Sequence, residues 1–209
     1  MFKFVFGVCL FLTVVAFPDE SAAGDDIKAK LKPESLEFSG LDSEIEKYLN
    51  SVPEDKKKAE TTRIGIVKNF KKMVQKVINR SPYEGKIFMK DKVIFGKITE
   101  AKDESLTVIS GNSETMTVKW EDLHPRQYSD IFISEAVSKG EELEVGKVPQ
   151  AAEKSFVKAG NYYYALAIFY DWYDNDAASK LYRQKALILN PKLKPKIDEL
   201  WPDKENLKN

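Results

Sequence analysis

Apolar and polar positions change their spacing as the chain proceeds, and each change marks an element. Over residues 63–79, Ile66, Val67, Phe70, Met73, Val74, Val77 and Ile78 fall at i, i+1, i+4, i+7, i+8, i+11 and i+12. That single stripe predicts an amphipathic helix, with Lys68, Lys71, Lys72 and Lys76 on its polar side and Ser81-Pro82 ending it. Between residues 83 and 120 the period drops to two. Leu106 and Val108 alternate with Ser105, Thr107 and Ser110, and Gly111-Asn112 supplies a turn. Met116, Val118 and Trp120 then alternate with Thr115, Thr117 and Lys119. Two earlier strands are predicted at 86–90 and 92–99, divided at Asp91-Lys92, and Gly96 inside the second marks a bulge or tight bend. Glu121-Asp122-Leu123 reads as a tight turn. Pro125 then starts a helical segment carrying Tyr128, Ile131, Phe132 and Val137.

Beyond residue 149 the period is helical again. One helix is expected over 150–158, closed by Gly160; a second, capped by Asn161, runs to 173. A third, capped by Asp176, runs through Leu189 to the Asn190-Pro191 stop, and a short one follows over 195–201. The fold class is therefore α+β: an N-terminal amphipathic helix, a small antiparallel barrel and a C-terminal helical hairpin.

The region before the first strong helix changes the picture by adding an address. Lys3 and the apolar run at 4–17 are followed by Ser21, Ala22 and Ala23, which predicts a signal segment over 1–23 cleaved after Ala23. Residues 24–60 are polar and broken by Pro33, Gly40 and Pro53, with a short helix over 42–49 and a charge cluster at 54–58 that reads as a solvated helix start. Residues 61–137 form the helix-plus-barrel unit, 138–148 a glycine-bounded linker, and 149–203 the helical unit. The only cysteine, Cys9, lies in the apolar run without a lipoprotein box, so the processed chain is expected to be cysteine-free. That absence suits a bacterial periplasm or cell envelope. Contact with the membrane is expected only through an uncleaved signal segment. The formal net charge is +0, which gives no overall pull toward nucleic acid.

The string Ser105-Leu-Thr-Val-Ile-Ser-Gly, continued by Thr117-Val-Lys-Trp-Glu-Asp-Leu-His-Pro-Arg-Gln-Tyr, resembles the small SH3-like barrels of bacterial envelope proteins. The resemblance implies a barrel fold and an adaptor role. Tyr163, Leu166, Ala167, Tyr170 and Ala186, with Pro191 as the closing proline, resemble one tetratricopeptide repeat whose second helix departs from the pattern at Ser179 and Arg183. This second resemblance implies a protein or peptide partner.

Chemistry adds little to these readings. His124 is the only histidine, no G-x-S-x-G elbow or phosphate-binding glycine loop is present, and Asp171, Asp174 and Asp176 lack the spacing of a calcium loop. No cofactor or metal is expected. Of the crowded aromatics of the 161–173 helix, Tyr162, Phe169, Trp172 and Tyr173 lie off the stripe that faces the hairpin; they either pack inside the chain against the barrel, the favoured reading, or leave Tyr162, Trp172 and Tyr173 as the candidate partner surface. The function read from the chain is a non-catalytic exported binding or assembly module. The alternative is an accessory domain or small carboxylate-dependent hydrolase acting on envelope polymers. A nucleic-acid binder on the small barrel is opposed by the zero net charge and the export signal. The lysine side of the 63–79 helix reads as the outer face of a helix packed on the sheet. A membrane-surface or partner-binding face is its competing reading.

Overall fold

The computed structural model describes residues 40–140 and 150–202. The expected signal segment at 1–23, residues 24–39, residues 141–149 of the expected linker and the start of the helical unit, and residues 203–209 lie outside the described residues. Helix α1 (Asp42–Ser51) leads through Pro53 into α2 (Glu54–Arg80). α2 starts well ahead of the 63–79 stripe, because Glu54 and Asp55 favour a helix N-terminus without needing a buried face. Its buried stripe is Ile64, Val67, Phe70, Val74, Val77 and Ile78, while Ile66 and Met73 sit half-buried on the shoulders.

Four strands follow: β1 (Tyr83–Phe88), β2 (Val93–Ala101), β3 (Ser105–Ser110) and β4 (Thr115–Lys119), paired antiparallel in that order as an open sheet. One face, with Ile87, Ile98, Leu106, Val108 and Val118, is buried, and α2 packs there against β2. Trp120 is 2% exposed and opens a 3-10 turn (Trp120–Asp122); its Nε1 donates to the Lys102 carbonyl at 2.8 Å. Beyond the turn the chain runs back along β1. Leu123 bridges Met89, and the His124 amide donates to the Phe88 carbonyl at 2.9 Å.

The irregularity in β2 falls between Ile98 and Glu100 rather than at Gly96. Gly96 serves a close crossing instead, since a Cβ there would meet the Ile109 carbonyl oxygen at 2.3 Å.

Helix α3 (Arg126–Gly140) extends into the predicted linker, and its Tyr128, Ile131 and Phe132 join the core. α4 (Gln150–Trp172) is a single helix where two were expected. Gly160 does not close anything: a Cβ on it would lie 2.5 Å from the Asn190 Cβ, so it lets the start of the next connection touch the α4 backbone. Asn161, expected as a cap, accepts from the Asn190 side chain at 3.2 Å. α5 (Asp176–Leu189) is capped by Asn175, whose side chain accepts from the Ala178 amide, and Asp176 takes the first turn instead. A 3-10 turn (Pro191–Leu193) and α6 (Lys194–Leu200) complete the described chain.

α4 packs against α5 on one side and against α2 and α3 on the other. Its residues 162–169 are all buried. At its centre Phe169 stacks on Phe70 of α2 at 4.3 Å between ring centroids, with Tyr128 edge-on to both rings at 6.3 Å. Among the described residues no helix is long and apolar enough to cross a membrane.

Candidate functional site

The aromatic surface expected on α4 is interior. Tyr162 is 9% exposed, stacks on Phe132 at 5.1 Å and accepts a hydrogen bond from Arg80 at 3.0 Å. That hydrogen bond is the main reason the Arg80 guanidinium holds its proton above its ordinary range; burial opposes it and Glu135 assists. Trp172 is 5% exposed. Tyr173 is half-buried with its ring edge-on to Phe169 at 5.0 Å. Of the three, Tyr162 anchors α4 to α2 and α3, while Trp172 is buried and Tyr173 half-buried.

Aromatic side chains of both helices meet inside the α4–α5 hairpin. Tyr182 lies between Tyr163 and Tyr170, stacked at 5.9 and 5.4 Å, whereas Leu181 faces outward at 46% exposure. The polar candidates are equally accounted for. His124 is exposed in its turn, with Nδ1 accepting from the Arg126 amide. Asp171 lies 3.6 Å from Arg63. Among the described residues no group of His, Cys, Asp or Glu side chains is placed to hold a metal ion.

Behind α4 the helices enclose a charged cluster. Arg63 pairs with Glu60 and Asp171 and donates to the Leu200 carbonyl. Arg63 and Arg183 both lie over the Trp201 ring, at 5.6 and 4.8 Å. Burial lowers the affinity of Arg183 for its proton, partly offset by Asp171 and Asp176. The cluster ties α6 to α2 and α5, and it is a structural joint.

The surface that stands out is the other face of the sheet. An antiparallel sheet with one covered face normally turns polar residues to water on the other. Here β2 turns Val93 and Phe95 outward, 52% and 64% exposed. Cross-strand register sets Phe88 opposite Val93 and Lys86 opposite Phe95 on the same face, with half-buried Ile109 on β3. Two cations lie over these rings: Lys86 Nζ is 5.7 Å from the Phe95 centroid, and the Arg126 guanidinium is 4.6 Å from that of Phe88. Lys90 and Lys92 stand exposed in the β1–β2 turn. The patch is thus apolar with a cationic border. The alternation of Val93, Phe95 and Lys97 showed that these residues share a face, but two apolar residues on one strand face look the same in sequence whether that face is inner or outer.

Two open grooves flank the β2–β3 turn. One, about 590 Å³, lies along Lys72, Lys76 and Arg80 of α2; the other, about 530 Å³, lies along Lys71, Trp120 and Lys119. The turn between them is fixed by side chains of α2. Asn79 accepts from the Ala101 amide at 2.7 Å and donates to its carbonyl at 2.9 Å, and Gln75 donates to the Lys102 carbonyl at 2.9 Å. Compared with known proteins, the chain matches no family model, no curated protein and no solved structure.

Proposed function

We propose that this chain is a non-catalytic, exported binding or assembly module of a bacterial envelope, and that the outer face of its sheet takes the partner. The observation that carries the reading is the outward placement of Val93 and Phe95 on a sheet whose other face is fully used by the core. Exposed apolar side chains gathered on one face, bordered by polar ones, mark a surface that gains by desolvation. Lys86, Lys90, Lys92 and Arg126 around the patch select a protein or peptide segment with apolar residues flanked by acids. The SH3-like reading draws support from the return of the chain along β1 at Leu123, and the repeat-like reading from the α4–α5 hairpin. Export draws its support from the apolar run at 4–17 and Ser21-Ala22-Ala23.

The test is a Val93→Thr/Phe95→Thr double variant, which places a β-branched strand former at each of two exposed positions. Its melting temperature should stay close to wild type, while capture of the partner from envelope extracts should fall at least tenfold. Undiminished capture would remove the sheet face from the proposal. N-terminal sequencing of the chain from its native host checks the address, since an intact Met1 would rule out cleavage.

A further inference from the structure

We infer that α2 carries a cation ladder that binds a linear polyanion of phosphate groups, on a surface separate from the sheet face. Residues 61–80 contain Arg63, Lys68, Lys71, Lys72, Lys76 and Arg80 and no acid, in a chain whose formal net charge is +0. The neutral total therefore conceals one strongly basic helix set against acid elsewhere. Lys68, Lys72, Lys76 and Arg80 fall at i, i+4, i+8 and i+12, and all four are exposed. Successive members rise by about 6 Å, giving a row roughly 18 Å long.

The two ends of the row are steadied by acids. Lys68 pairs with Asp42, and Arg80 with Glu135. Lys72 and Lys76 in the middle have no ion-pair partner among the described residues. Beside them runs the groove of about 590 Å³, whose far wall is the β2–β3 turn held in place by Asn79 and Gln75. Its one acid, Asp103, accepts from the Gln75 amide at 3.2 Å.

Shape and chemistry together select the ligand. A wall on one side lets a single strand lie along the cations, whereas a flat bilayer would meet only the rim. Lysine ammonium groups suit phosphate as compact point charges with several donors. The groove is lined by Lys, Arg, Gln, Asn, Ala and Asp, with no aromatic side chain, so nucleobases would find nothing to stack on.

The probe is long-chain inorganic polyphosphate, labelled at one end and followed by fluorescence anisotropy with the full chain across a salt series. Affinity should fall with salt. In Lys72→Gln/Lys76→Gln it should drop at least tenfold, with the log–log salt slope reduced by about 1.4, roughly 0.7 for each cation removed. Lys47→Gln/Lys180→Gln, which takes the same charge from exposed positions on α1 and α5, should change affinity less than twofold. Equal losses in the two variants would overturn the ladder in favour of diffuse charge. Capture by phosphatidylglycerol vesicles without polyphosphate binding would overturn it in favour of a membrane surface. Tighter binding of single-stranded DNA than of polyphosphate would overturn the assignment to a phosphate polymer.

Discussion

Trp172 shows how a single side chain changes meaning with its surroundings. Its indole is 5% exposed, so Trp172→Ala empties a large interior volume and should cost about 3–5 kcal/mol. A thermal melt followed by circular dichroism checks this, and an unchanged melting temperature would return the ring to the surface. The sequence showed an excess of aromatics on the 161–173 segment but not what would cover them. A second side of α4 became interior because α2 and α3 close over it, and those contacts join residues far apart in the chain. Trp120 was easier to place: strand alternation put it with Val118, and burial followed from that parity. Phe95 was the converse case, since its strand was expected over 92–99 but which face of it stays open depended on where α2 docked.

Among the elements, α2 and the last two strands were legible because each buries one face, so their periods survive in the sequence. α4 was not, and the reason is physical. A helix buried over 162–169 on every side has no polar stripe to set its phase, and Gly160 inside it imitates a stop. The glycine is instead a point of contact between α4 and the residue that ends α5. Gly160→Ala would force its new methyl against Asn190, which α4 and α5 hold from both sides, so the expected loss is about 1–3 kcal/mol despite the better helix propensity of alanine. Chemical denaturation of the variant settles the sign. A gain in stability would mean that Asn190 moves freely and the approach is loose.

At the scale of the whole molecule, burial of phenols makes the fold sensitive to alkali. Burial pushes the Tyr164 and Tyr182 hydroxyls up to about 12, against roughly 10 in an unfolded chain. Between those limits the folded protein keeps protons that the unfolded chain releases. Their contribution is therefore whole below pH ~10 and is lost as pH rises toward ~12. Urea unfolding at pH 8 and pH 11 should show this loss, and Tyr164→Phe/Tyr182→Phe should flatten it; an equally steep loss in the double variant would assign it to other groups. The α+β class was legible at this scale, but the basic helix hidden in a neutral total was legible only when charge was read by segment.

The joint between α2 and α6 has a consequence for how the chain is closed. Arg63 donates to the Leu200 carbonyl and Lys58 pairs with Glu199 at 2.7 Å, so the described chain meets itself as a ring whose seam lies there. Trp201 sits at that seam under two guanidinium groups, which makes its indole fluorescence a local report on the contact between α2 and α6.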